Sequence, residues 1–192
     1  MADEGVGPWC ENAIQYPAWG PIATPDRIEG LIALSAALAE AGSFLALETF
    51  YNEGLNDPSP EEVLFYWAAY QIFRHGEDAL VLKPDWNPYG PMREVLWFDI
   101  FGLDIGEPVG EAAQDADGVF HRDFERGDGR TARVYVRADG GIGGSVSASL
   151  SGDWCRVDVD GAKTALAGDL ALESGDGVLL VEPTDGLCAG DS

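Results

Sequence analysis

The sequence predicts an α/β architecture, a partial (β/α) barrel segment over residues 1–114 followed by a small antiparallel, sandwich-like β domain over residues 115–192 with disordered last residues. Two observations carry this expectation. Up to Gly110 the chain holds all but one of its 6 tryptophans and alternates helical patterns with short apolar runs. Beyond Asp115 it turns rich in Gly, Asp and Val, with apolar runs on a shorter period.

The first helix is predicted over Pro25 to Ala41. Thr24-Pro25-Asp26 sets a cap residue, a proline at the first helical position and an acid near the positive helix end, and Ile28, Leu31, Ile32, Ser35 and Leu38 recur at helical spacing. A second helix over Pro60 to His75 opens with Ser59 and Glu62 at capping-box spacing and ends before Gly76. A third is predicted from Pro91 to Phe101. The apolar runs Ser43 to Phe50 and Ala79 to Leu82 read as buried parallel strands, with Val6 to Cys10 as the tail of an earlier one. In the second part, strands are expected at Val119-Phe120, Arg133 to Val136, Val146 to Leu150, Arg156 to Val159 and Val178 to Val181. Asp128-Gly129, Asp139-Gly140, Asp160-Gly161 and Asp176-Gly177 supply the left-handed backbone of tight hairpin turns, most clearly in Val157 to Lys163.

The charge balance is lopsided: 34 acidic against 11 basic residues give a formal net charge of −23, and Lys83 and Lys163 are the only lysines. Nucleic acid and anionic membrane surfaces are polyanions that need a basic footprint, so neither is an expected partner. An acidic, lysine-poor chain suits halophilic life in concentrated salt, where screening over roughly 3 Å at 1 M removes self-repulsion. Cys10, Cys155 and Cys188 are odd in number and at no metal-like spacing, which predicts no disulfide framework, no zinc site and a reducing, cytoplasmic location. The opening Met-Ala-Asp-Glu-Gly lacks the basic and apolar regions of a signal peptide.

Two carboxylates follow apolar runs where parallel strands would carry catalytic groups: Glu11 in Trp9-Cys10-Glu11-Asn12 and Glu48 in Leu45 to Tyr51. Acids at the carboxyl ends of neighbouring strands, flanked by aromatics, match glycoside hydrolysis, in which one carboxyl protonates the leaving oxygen and another acts as nucleophile or base. The expected sugar-binding residues are Trp9, Asn12, Tyr51, Asp85, Trp86 and Tyr89. Asp85 to Gly90 has the composition of a loop over a polar pocket. No metal or cofactor is expected. His75 and His121 are joined by no serine or cysteine in a nucleophile-elbow context, and Gly140 to Gly144 is a flexible turn with no phosphate-binding lysine. The competing reading is a carbohydrate-binding or assembly module without catalysis.

The stretch Leu103-Asp104-Ile105-Gly106-Glu107-Pro108-Val109-Gly110, followed by Gly118-Val119-Phe120-His121-Arg122-Asp123-Phe124-Glu125-Arg126-Gly127, resembles the carboxyl-terminal portion of the glycoside-hydrolase-like TIM-barrel proteins known as the hypothetical glycosyl hydrolase 15 group. There a D-x-G-x-P-x-G segment closes the barrel and a G-V-x-x-R-x-F-x-x-G segment enters a β domain. The resemblance implies the carboxyl-terminal half of such a barrel, a carbohydrate substrate, and completion by an amino-terminal half or by self-association. The chain departs from the group after Gly127, where Asp128 to Arg137 replaces a valine-rich strand ending in asparagine.

Overall fold

The computed structural model describes residues 9–11, 14, 24–51, 58–75, 78–84, 97–115, 118–141, 143–184 and 188. These form a mainly-β fold with two α-helices. The expected (β/α) barrel is overturned: three short parallel strands are the whole of the parallel sheet among the described residues, and eight further strands pair antiparallel.

The chain runs β1 (Trp9–Glu11), α1 (Pro25–Glu40), β2 (Ala46–Tyr51), α2 (Pro60–Phe73) and β3 (Ala79–Pro84), with parallel pairing in the order β1-β2-β3. Within the predicted third helix, residues 91–96 lie outside the described residues, and Asp99–Gly102 forms a single 3-10 turn. Then follow β4 (Glu107–Gln114), β5 (Val119–Glu125), β6 (Thr131–Arg137), β7 (Val146–Ala148), β8 (Trp154–Val157), β9 (Lys163–Leu166), β10 (Leu170–Leu172) and β11 (Gly177–Val181). Six of them make one antiparallel sheet in the order β4-β5-β6-β11-β8-β9, and β7 pairs with β10 as a separate ribbon.

The barrel expectation fails at β4. The first half of β4, Glu107 to Gly110, sits inside the segment that resembles a barrel closure, yet the strand pairs antiparallel with β5 through a bulge between Val109 and Ala113. A local motif fixes the bend of the chain; which strand it lies beside is decided by the rest of the sheet.

Helix α2 explains why the layers hold together. All of its residues from Glu62 to Phe73 except Tyr70 are buried, the signature of a helix covered on all sides. It packs on β5, β6 and β11 and on α1, and one cluster joins Leu45 and Leu47 to Val63, Phe65, Ile72 and Phe73 and on to Val134, Val136 and Leu179. Ser59 caps the helix, its Oγ accepting from Glu62 N at 3.2 Å. Thr24 precedes α1 as expected but makes no side-chain cap bond; its carbonyl accepts from Arg27 N and Ile28 N instead. The opposite face of the six-stranded sheet carries a second apolar cluster, Val119, Tyr135, Trp154, Val178 and Leu180 against Leu170 and Leu172.

Gly177 is a correction to the turn reading. It has no positive φ and opens β11, where a Cβ would overlap the backbone of Leu64 and Phe65, so glycine is required by close approach of strand to helix. Gly129, Gly140 and Gly161 do adopt positive φ in their turns. The disulfide expectation is also overturned: Cys155 of β8 is bonded to Cys188. The two lie 33 positions apart, and spacing along a sequence carries no information about a pairing that the fold creates. Among the described residues, no helix is long and apolar enough to cross a membrane.

Candidate functional site

Parallel pairing of β1 with β2 places Trp9 opposite Ala46, Cys10 opposite Leu47 and Glu11 opposite Glu48. The two predicted acids are thus register partners on adjacent strands, about 4.8 Å apart at the backbone. Glu11 is the last residue of β1, whereas Glu48 is the third of the six in β2 and sits mid-strand, short of the expected carboxyl end. Glu48 is 4% exposed. Leu45 and Leu47 belong to the cluster around α1 and α2, so strand alternation turns Glu48 to the sheet face away from the helices. Of the expected sugar-binding residues, Trp9 and Tyr51 are placed by backbone only, at the start of β1 and the end of β2. Asn12, Asp85, Trp86 and Tyr89 lie outside the described residues.

An aromatic cleft of about 280 Å³ lies between α2, the start of β3 and the 3-10 turn, lined by Trp67, Tyr70, Gln71, Leu80, Trp97 and Phe101. Trp97 is 71% exposed and meets Phe101 edge-on at 5.8 Å. Gln71 accepts from Arg74 Nε, and the Tyr70 hydroxyl donates to the Asp78 carbonyl at 2.6 Å, with burial holding that phenol above its usual pKa. Trp67, Tyr70 and Gln71 are legible in the sequence only as one apolar helix face, because a cleft between elements leaves no periodic signal.

A Ser-His-Asp cluster that the sequence did not reveal lies beside this cleft, at the amino-terminal end of the parallel strands β2 and β3. Buried Asp78 accepts from Leu45 N at 2.6 Å, from His75 N at 3.0 Å and from the Ser35 hydroxyl. His75 Nδ1 lies 2.8 Å from the Phe73 carbonyl and 3.1 Å from Ser35 Oγ. A carbonyl only accepts, so Nδ1 carries the proton, and the Ser35 proton points to Asp78. No basic nitrogen faces the serine, and Ser35 is fully buried. The cluster therefore ties α1, α2, β2 and β3 together and lacks the geometry of a nucleophile and base.

The residues that carry the family resemblance have architectural roles of the same kind. Asp104 accepts from Gly106 N at 2.9 Å, and Gly106, at φ 88°, runs against the Glu125 backbone too closely for any side chain. Buried Arg122 donates to Ile72 O at 3.2 Å, Arg74 O at 2.6 Å and Gly110 O at 3.2 Å, so it caps the end of α2 and holds the bulge of β4. Burial lowers its pKa from the ordinary arginine value. The ring of Phe124 lies 5.4 Å from the Arg74 guanidinium. Beside the glycine-rich stretch, Arg137 donates to Gly143 O at 3.2 Å and to Gly144 O. Among the described residues no three His, Cys, Asp or Glu side chains converge as a metal site.

No family model matches this sequence, and no curated protein matches it. Among solved structures, the chain is similar to a GH27 β-L-arabinopyranosidase from Geobacillus stearothermophilus, with 11% identity and a TM-score of 0.34. The alignment covers 84% of this chain and 62% of that one, less than two thirds of its length. The likeness is to a glycoside hydrolase, but a similarity of this size establishes neither a common fold nor a common activity.

Proposed function

We propose that the protein is carbohydrate-active and glycoside-hydrolase-like, with Glu11 and Glu48 as its pair of working carboxylates. The observation that carries this reading is the register partnership of Glu11 and Glu48 on parallel strands, with Glu48 buried on the face that the helices leave free. Positions on neighbouring strands are about 4.8 Å apart, within reach of the roughly 5 to 5.5 Å between the carboxyl groups of retaining glycosidases. In that chemistry one of the pair protonates the departing glycosidic oxygen and the other takes the sugar carbon or directs water to it. The aromatic cleft supports a second reading, sugar binding without hydrolysis, since the exposed Trp97 offers a flat face beside the hydrogen-bonding Gln71.

Hydrolysis of a panel of aryl glycosides by the wild-type chain, Glu11→Gln and Glu48→Gln separates the two. The expected result is measurable release of the aryl group by wild type and a loss of about 10²-fold or more in each variant, with unchanged melting temperature. Full activity in either variant removes that residue from the chemistry. Absence of hydrolysis together with sugar binding that Trp97→Ala abolishes establishes the second reading in place of the first.

A further inference from the structure

A cleft of about 400 Å³ opens on the face of the six-stranded sheet that α2 does not cover. Its floor is His121 of β5 with Arg133 and Tyr135 of β6, Asp115 stands at the rim, and the far wall is the run from Val146 to Ser149. Alternate residues of a strand point to opposite sides, so four consecutive lining residues mean that the cleft runs along the backbone edge of β7. Among the described residues β7 is paired only with β10, which leaves peptide N–H and C=O groups without a ladder partner on the edge facing the cleft.

The floor is rigid. His121 and Tyr135 are cross-strand partners with rings 5.6 Å apart. Arg133 donates from Nη2 to Asp123 Oδ2 at 2.8 Å and from Nε to Oδ1, and lies 5.6 Å over the Trp154 ring. His121 Nδ1 sits 3.3 Å from Asp115 Oδ2 without hydrogen-bond alignment and has no hydrogen-bond partner among the described residues.

Charge selects the class of ligand. Asp123 already neutralises the Arg133 guanidinium, Asp115 adds a negative charge, and the chain carries −23, all of which repel an anion. One rim carboxylate is too few for a divalent cation, which takes six or more oxygens. The edge of β7 offers both N–H donors and C=O acceptors, which match an uncharged polyol that accepts and donates better than a small amine, which only donates. We propose that this cleft is a binding site for a neutral sugar of one or two rings, separate from the Glu11 and Glu48 sheet and independent of that reading. Its size falls in the lower part of the range of small-molecule pockets, roughly 300 to 1,000 Å³.

The test is an amide NMR titration of the full chain with neutral pentoses, hexoses and their disaccharides, with acetate and phosphate as anion arms. The expected result is saturable shifts around His121, Tyr135 and Val146 to Ser149, with an affinity weakened about tenfold or more by Asp115→Ala and by Tyr135→Phe. Asp115 is half exposed and Tyr135→Phe deletes only a hydroxyl, so both variants retain the fold. Glu48→Gln leaves the shifts unchanged, whatever it does to hydrolysis. Three results overturn the proposal: no saturable shift with any sugar, equal affinity in wild type and both variants, or a larger response to acetate or phosphate. Loss of the shifts in Glu48→Gln also overturns it, because the cleft would then not be a separate site.

Discussion

The parallel sheet and the six-stranded antiparallel sheet solve the same problem with opposite charges. Around β2 and β3 the loose groups are donors, the amides of Leu45 and His75 and the Ser35 hydroxyl, and a single buried carboxylate, Asp78, gathers them. Around β4 to β6 many loose groups are carbonyls, at the end of α2, at the β4 bulge and at Gly143 and Gly144, and buried Arg122 and Arg137 gather those, while buried Asp139, 2.8 Å from the Arg137 guanidinium, takes the Gly141 N–H and the Ser174 hydroxyl. A strand start and the residue after a helix leave an N–H unpaired, whereas a helix end leaves carbonyls unpaired. For Asp78 and Arg122 the sign of the buried charge follows from which end of an element it serves.

Removing the centre of each network tests the comparison most strongly. Arg122→Met keeps the apolar stem and takes the donor from the buried Ile72 carbonyl and from the part-buried Arg74 and Gly110 carbonyls, and is expected to lower stability by about 4 kcal/mol in denaturant melts. Asp78→Asn retains shape and one acceptor oxygen, so about 2 kcal/mol is expected. Equal losses would show that the two layers do not differ as described. The disulfide falls between these two losses in size. Reducing Cys155–Cys188, or substituting Cys188→Ser, releases the end of the chain from β8 and is expected to cost about 3 kcal/mol on loop entropy. Melts with and without reductant check this; no change would mean that the bond does not form in the purified chain.

The smallest effect belongs to an exposed turn that neither network includes. Hydrogen bonds from Arg130 hold the Asp128 carboxyl at about 2, below its usual 3.8. Because the folded value is depressed, the turn is stabilised fully above about pH 4, and this contribution is lost as pH falls through 2. Acid melts of wild type and Asp128→Asn should converge below pH 2 and separate slightly above pH 4; parallel curves throughout would deny Asp128 any part in acid sensitivity.

Much of the local structure was legible in the residues themselves. Pro25, Ser59 and the apolar spacing of Ile28 and Leu31 mark two helices to within a few residues, and Asp160-Gly161 marks the hairpin of β8 and β9, because caps and turns are set by neighbours along the chain. The Glu11 and Glu48 candidates came from the same kind of local pattern, an acid behind an apolar run, and the pattern says nothing about register. What the tertiary structure alone decided is long-range: that β4 pairs antiparallel and the described residues close no barrel, that Cys155 meets Cys188, that Gly177 admits the backbone of Leu64, and that Asp78 and Arg122 are buried. Each of these depends on which elements lie side by side across tens of residues. Hydrophobic burial drives those pairings without direction, so composition announces that a core will form while shape and register determine which residues meet in it.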